Sequence, residues 1–189
     1  MKILIAYTTR YGAAEACAKK LAEELNGECD LVNLKEAKNV EISKYDKVIL
    51  GGSIYAGNSQ AELRAFGLEK CDELCKKPLG LYLSCMGFDA ASVESYFWAT
   101  FPGELLDHAC AIKSFGGVFD FKKMNFFERT IIKMMGRNES AKKGVKNLLN
   151  GKEKINTISL SRINKFAKDV NTAIHMDKEK VLNFTDISK

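Results

Sequence analysis

Several signatures of nucleotide-binding and metal-binding proteins are absent from this sequence of 189 residues. It contains neither GxGxxG, the dinucleotide fingerprint, nor GxxxxGK(S/T), the triphosphate loop. No CxxC pair occurs among its six cysteines, and no histidine or second cysteine pair lies near Cys71 and Cys75, which are one helical turn apart. We therefore expect no bound metal and six reduced thiols.

Long apolar runs are also missing. No stretch approaches the roughly 20 apolar residues that a membrane span needs, and the apolar run after Lys2 is too short for a signal peptide. The composition, 46% hydrophobic, is typical of a globular protein. We expect a cytoplasmic protein with a single domain over residues 1–176, an insertion in it at about 120–158, and a tail at 177–189.

The net charge of +5 is concentrated in one segment. Residues 122–154 contain ten basic and three acidic side chains, a charge of +7, which leaves −2 for the rest of the chain. A basic segment on a near-neutral body predicts an anionic partner, such as a lipid surface, an acidic protein or an acidic substrate. Nucleic acid is not expected, because no aromatic-lined strand face or recognition helix accompanies the charge.

Short apolar runs alternate with amphipathic patterns along the chain. The runs predict strands at residues 3–7, 29–34, 46–52, 79–85 and 110–119. The amphipathic patterns predict helices at residues 13–25, 60–76, 92–101 and 161–175. This alternation is typical of an α/β protein: a doubly wound, five-stranded parallel sheet with helices on both faces and the basic insertion before the last helix.

Three loops follow strands of this predicted sheet and should meet at its carboxyl edge, where doubly wound proteins bind ligands. In the first loop, hydroxyl groups and a guanidinium lead directly into a helix N-terminus, which favours an anion. No acidic pair for magnesium follows the strand, so the sequence predicts a monophosphate site; the alternative is that Thr8 or Thr9 simply caps the helix. The candidate ligand residues are Thr8, Thr9, Arg10, Tyr11, Gly12 and Ala13.

The second and third loops combine small residues with an aromatic side chain, a pattern that suits a flat ring. Gly57 also permits a backbone conformation that other residues resist. Together with the monophosphate site, these loops favour flavin mononucleotide (FMN). The candidates are Ser53, Ile54, Tyr55, Ala56, Gly57 and Asn58 in the second loop, and Ser84, Cys85, Met86, Gly87 and Phe88 in the third. No side chain is nominated as a catalytic acid or base.

The segments TTRYGAA and GGSIYAGN resemble the phosphate loop and the second flavin loop of flavodoxins. Within that family, the chain is most similar to the flavodoxin-type, menaquinone-dependent protoporphyrinogen oxidases, which share the S/T-T-R-x-G and G-x-S-I patterns. The stretch FGGVFDFKKMNFFERTIIKMMG resembles their long insertion. The resemblance covers roughly residues 1–140 and the last helix, and implies bound FMN and oxidation of protoporphyrinogen with a quinone acceptor in haem biosynthesis.

Two departures from that family stand out. Ala14 occupies the position where the family has a threonine that meets the phosphate. Residues 88–107 do not follow the family sequence, and Phe97, Trp98 and Phe101 are interpreted either as core residues or as a cover for the flavin.

Residues 122–152 form a basic, amphipathic pattern with three interpretations. The apolar stripe packs on the domain, or it rests on anionic lipid at the inner face of a membrane, or it docks a protein or the propionates of a tetrapyrrole. The function expected is that of an FMN-binding oxidoreductase or electron-transfer protein, and the resemblance implies protoporphyrinogen as its substrate. The alternatives are a soluble electron carrier of the flavodoxin type for a protein partner, and a flavin-free binding module.

Overall fold

Five parallel strands form the centre of the computed structural model, which describes residues 1–37, 39–86, 89–119, 130 and 155–173. The strands are β1 (Lys2–Thr8), β2 (Glu28–Asn33), β3 (Lys47–Ser53), β4 (Leu79–Ser84) and β5 (Ala111–Ser114). Their order is β2-β1-β3-β4-β5, and every neighbouring pair is parallel. The five-stranded parallel sheet is therefore confirmed, and its topological switch point lies between β1 and β3.

Helices cover both faces of the sheet, as the doubly wound prediction requires. Side chains of β1 alternate, so that Ile3 and Ile5 lie in one buried cluster while Leu4 and Ala6 lie in the other. The first cluster is covered by α1 (Ala13–Glu24) and α6 (Leu160–Thr172). The second is covered by a 3-10 turn (Ile42–Lys44) and by α2 (Ala61–Glu69), α3 (Cys71–Leu74), α4 (Ala90–Thr100) and α5 (Gly103–His108).

Tyr82 attaches the first helix to the middle of the sheet. Its ring is fully buried and its hydroxyl donates a hydrogen bond of 3.0 Å to the Ala14 carbonyl oxygen. A Cβ on Gly51 of the neighbouring strand would lie only 1.9 Å from the Tyr82 ring. The ring also stacks on Phe115, with 4.8 Å between centroids. Glycine at position 51 is therefore required for Tyr82 to reach α1.

Lys47 attaches the last helix at the opposite edge. Its side chain is 5% exposed, and its Nζ donates hydrogen bonds to the carbonyl oxygens of Val170 (2.6 Å) and Asn171 (3.2 Å) in the last turn of α6. Burial lowers the pKa of Lys47, while the negative end of the helix dipole favours its cation. This buried ammonium group therefore satisfies carbonyl groups that the helix leaves without partners.

The prediction of a single strand at residues 110–119 is wrong. β5 ends at Ser114, and β6 (Val118–Phe119) pairs antiparallel with β7 (Ile155–Asn156) in a separate two-stranded sheet. Gly116 makes the break with a φ of 84°, and a Cβ there would lie 2.0 Å from the Thr157 carbonyl oxygen. The apolar run continues through this turn, so its sequence conceals the break.

The predicted helices differ from the structure mainly at their ends. The helix expected at residues 60–76 is divided at Lys70 into α2 and α3. α4 begins earlier than expected because Asp89 caps it, accepting a hydrogen bond of 2.7 Å from the Ser92 amide. α5 follows Pro102 and was not predicted. α6 ends at Thr172 rather than 175, with extended backbone at Ala173.

Most of the predicted insertion and tail cannot be compared with the structure. Of the insertion at about 120–158, Thr130 and residues 155–158 are described, and the tail at 177–189 lies outside the described residues. Among the helices that are described, none has the length and apolar character to cross a membrane.

We expect Lys47→Met to reduce the free energy of unfolding by roughly 1–3 kcal/mol, because the buried Val170 carbonyl oxygen and the partly buried Asn171 carbonyl oxygen lose this donor. Urea unfolding followed by circular dichroism measures the loss. The matched control is Lys44→Met, since Lys44 is exposed and pairs with exposed Glu41; about 0.5 kcal/mol or less is expected there. Equal effects of the two substitutions would contradict the buried role of Lys47.

Candidate functional site

The carboxyl ends of β1, β3 and β4 lie side by side at the switch point. Thr8 pairs with Gly52, and Ser53 pairs with Ser84. The loops that follow are called loop 1 (residues 8–13), loop 2 (53–58) and loop 3 (84–88). Loop 2 contacts loop 3 directly, since the Ile54 amide donates a hydrogen bond of 3.0 Å to the Ser84 carbonyl oxygen. The structure therefore brings together the loops that the topology predicts to meet.

Gln60 joins loop 1 to loop 2. Its Oε1 accepts hydrogen bonds from the Thr8 hydroxyl (3.0 Å) and the Ser53 hydroxyl (3.3 Å), both of which belong to buried residues. These two hydroxyl groups hold the loops together. Sequence reasoning missed Gln60; its signal was a polar side chain between loop 2 and the first residue of α2.

Loop 1 presents the N-terminus of α1 without a side-chain cap. Gly12 precedes the helix with a φ of 88°, and no side chain forms a capping hydrogen bond. The Thr9 hydroxyl oxygen instead accepts a 3.0 Å hydrogen bond from the Gly12 amide, one residue before the helix. Neither Thr8 nor Thr9 caps α1, so the first-turn N–H groups are available to an anion.

Loop 2 is a tight hairpin. Tyr55 and Asn58 exchange two backbone hydrogen bonds of 2.8 and 3.0 Å. Ala56 and Gly57 between them have φ values of 48° and 84°, the signs of a type I′ turn. Gly57 thus adopts a positive φ, the backbone conformation for which the sequence predicts a glycine. The positive φ of Ala56 was not expected, since alanine rarely adopts it.

An aromatic corner, consisting of Arg10, Tyr11 and Tyr55, forms where loops 1 and 2 meet. The Arg10 guanidinium carbon lies 4.2 Å from the centroid of the Tyr55 ring and 5.6 Å from that of Tyr11. The two tyrosine rings meet edge to face, 5.8 Å apart. The corner combines a cation with aromatic surface at the edge of the sheet, within the range of cation–π attraction.

Loop 3 begins in the core. Ser84 and Cys85 are buried, and the Cys85 thiol lies 3.2 Å from the Ser114 hydroxyl. Met86 is half-buried, and a Cβ on Gly117 would contact Met86 and the Cys85 backbone at 3.0 to 3.2 Å. The remaining candidates of this loop, Gly87 and Phe88, lie outside the described residues.

The aromatic residues Phe97, Trp98 and Phe101, which follow loop 3, differ in their burial. Phe97 and Phe101 are buried in the core beneath the sheet. Trp98 is 49% exposed, and its indole donates a hydrogen bond to Glu94. The first two are therefore core residues.

A thiol and a carboxylate on α1 are the groups that could carry negative charge close to loop 1. Burial raises the pKa of Cys17 to about 12, with the Ser84 hydroxyl acting in the opposite direction, so this thiol is neutral at pH 7. Glu15, in the first turn of α1, pairs with Lys19 at 2.6 Å.

In the part of the chain that the structure describes, no three His, Cys, Asp or Glu side chains are grouped to hold a metal ion.

A groove of about 500 Å³ lies elsewhere, between α2 and the segment after β2. It is lined by the carboxylates of Glu41, Glu62, Glu69 and Glu73, with Lys70 as the described cation among its lining residues. This arrangement repels anions. This groove is therefore not a candidate anion site.

We expect Gln60→Ala to lower the free energy of unfolding by roughly 1–3 kcal/mol, because two buried hydroxyl groups lose their acceptor. Gln60→Glu is the control, since it keeps an acceptor oxygen at the same reach and should stay closer to the original stability. Urea denaturation of the three proteins makes the comparison. If Gln60→Ala were as stable as the original chain, Gln60 would not join the loops.

The sequence of this chain matches a known protein family over most of its length. The family described as the flavodoxin domain matches residues 4–146. A protein of Leishmania major called protoporphyrinogen IX dehydrogenase (quinone) is 25% identical over 142 residues. The match covers 71% of this chain and 62% of the Leishmania protein, less than two thirds of that protein's length.

Flavodoxins are also found among similar solved structures. A Fusobacterium nucleatum flavodoxin bound to flavin mononucleotide is 18% identical, with 59% of this chain and 68% of that one covered and a TM-score of 0.44. The flavodoxin of Streptococcus pneumoniae TIGR4 is 13% identical, with 92% and 100% covered and a TM-score of 0.48. This chain belongs to the flavodoxin domain family, because the family match covers residues 4–146. The strand order of its sheet agrees with that membership.

Proposed function

We propose that this protein is an FMN-dependent redox protein that binds the cofactor at the edge formed by loops 1, 2 and 3. Membership of the flavodoxin domain family supports the cofactor. The observation that carries the proposal is the uncapped N-terminus of α1, reached through Gly12 at a positive φ, beside an aromatic corner. Such a terminus holds a phosphate, and the aromatic corner suits a flat ring.

The residues at this edge fit FMN. A Cβ on Gly12 or on Gly57 would contact nothing within 4 Å, so there is open space above both loops. The Ser59 hydroxyl, just beyond loop 2, is buried and has no hydrogen-bond partner among the described residues. A polar ligand at this edge would offer such a group a partner. The Thr9 hydroxyl keeps its own proton for donation, because its oxygen accepts from Gly12.

Each part of the site has a distinct task in this proposal. The first-turn amides of α1 bind the phosphate, and loops 2 and 3 hold the ring between them. When bound, FMN supplies the electron-transfer chemistry. The hydrogen bonds of Gln60 hold loops 1 and 2 in register, which fixes the distance between the phosphate site and the aromatic corner.

We expect the purified chain to show the visible absorbance of a flavin, or to acquire it when mixed with FMN. Quenching of FMN fluorescence measures the dissociation constant, and riboflavin, which lacks the phosphate, should bind more weakly because it forgoes the charge-assisted hydrogen bonds at α1. A chain that binds no FMN at any concentration would refute the proposal and favour a flavin-free binding module.

The same titration tests the departure at Ala14, which is fully buried in the first turn of α1. Ala14→Thr restores the hydroxyl of the family pattern, and Ala14→Val has the same shape without it. A charge-assisted hydrogen bond contributes roughly 1.5–3 kcal/mol. Ala14→Thr should therefore bind FMN about ten-fold or more tightly than Ala14→Val, with no difference for riboflavin. Equal FMN affinities would contradict a phosphate at this turn.

We further propose protoporphyrinogen as the substrate and a quinone as the electron acceptor. The support is the similarity to the Leishmania protein of that name and the basic, methionine-rich pattern of residues 122–152. A cytoplasmic location with contact to anionic lipid through residues 122–152 belongs to the same proposal. The second candidate function is that of an electron carrier for a protein partner. The net charge of +5 on this chain would favour an acidic partner.

An assay of protoporphyrinogen oxidation by the FMN-loaded protein, with and without a menaquinone analogue, separates the two candidates. We expect oxidation that depends on the quinone, and a loss of both activity and binding to anionic vesicles when residues 122–152 are deleted. FMN binding by the shortened chain is the control that it is folded. A loaded protein that leaves protoporphyrinogen unchanged would favour the electron carrier.

A further inference from the structure

Arg10 belongs to the phosphate loop by sequence, but its charge lies over loop 2. The guanidinium carbon is 4.2 Å from the Tyr55 ring centroid, closer than its 5.6 Å to the neighbouring Tyr11. Tyr55 offers a fixed platform, because both its amide and its carbonyl are bonded to Asn58 in a two-residue hairpin. Arg10 is an exposed residue, and its planar guanidinium lies against the aromatic corner within the range of cation–π attraction.

Loop 1 offers a phosphate other donors besides Arg10. The uncapped first turn of α1 supplies backbone N–H groups and the positive end of the helix dipole. The Thr9 hydroxyl adds a donor beside Gly12. Loop 1 thus carries two separate sources of positive potential, one at the helix and one at the aromatic corner.

We propose that Arg10 acts on the ring of the bound cofactor rather than on its phosphate, and thereby strengthens the binding of reduced FMN relative to oxidised FMN. The inference depends on the proposed function. Reduction of the ring by two electrons and one proton, which the electron donor and water provide, adds one negative charge. A cation at the ring lowers the free energy of that anionic form. By linkage, a protein that binds the reduced form more tightly raises the reduction potential of its cofactor.

The experiment compares the full-length chain with Arg10→Gln, which removes the charge, and Arg10→Lys, which keeps it. Arg64→Gln is the matched control, because it removes the same charge from an exposed position on α2. Fluorescence titration gives the dissociation constants of oxidised FMN and of riboflavin. Slow reduction by xanthine and xanthine oxidase against a reference dye gives the midpoint potential.

For Arg10→Gln we expect a reduced-to-oxidised binding preference at least ten-fold lower, which is a fall of about 30 mV in the two-electron midpoint. FMN and riboflavin should lose affinity by the same factor, since the phosphate is not involved. Arg10→Lys should keep most of the potential, and Arg64→Gln should change neither quantity.

Two results would overturn the inference while leaving the proposed function intact. A loss of FMN affinity with unchanged riboflavin affinity would make Arg10 a phosphate ligand. Tighter FMN binding with an unchanged potential would mean that Arg10 covers the Tyr55 ring and is displaced by the cofactor. An original chain that binds neither FMN nor riboflavin refutes the proposed function, and this inference with it.

Discussion

The contact between Tyr82 and α1 is the constraint on which the site depends. Side-chain packing restricts where a helix rests on a sheet, and a directional hydrogen bond restricts its position further. The hydroxyl of Tyr82 supplies that bond at the Ala14 carbonyl, in the first helical turn. The bond is possible because Gly51 leaves the space that the ring fills. The position of the helix N-terminus, and hence of any anion bound there, follows from these three residues.

Hydrogen bonds between polar groups at the carboxyl edge of the sheet join the loops to one another. Thr8 and Ser53 are buried strand ends whose hydroxyl groups need a partner, and Gln60 serves both. The Ile54 amide then joins the next loop through the Ser84 carbonyl. Hydrogen bonds of 3.0 to 3.3 Å thereby join loop 1, loop 2 and the first residue of loop 3. A ligand that binds at these residues would lose little free energy in ordering them.

The sequence was most informative where local pattern decides the structure. Buried parallel strands are continuous apolar runs, so the sheet and the meeting of its loops were predictable from them. Gln60 was missed because its partners lie up to 52 positions away, and no local pattern reveals such a pair. The break at Gly116 depends on an approach to Thr157 that only the folded chain contains. The resemblance identified the family, while the position of Arg10 over Tyr55 required coordinates.

The +7 segment is connected to the fold beside the candidate site. Its described flanks, β6 and β7, pair with each other, and Gly117 packs on the backbone of Cys85 and on Met86 in loop 3. These described flanks therefore lie close to the carboxyl edge of the sheet. The segment that carries the net positive charge of the sequence is thus attached to the domain on the side of the candidate site.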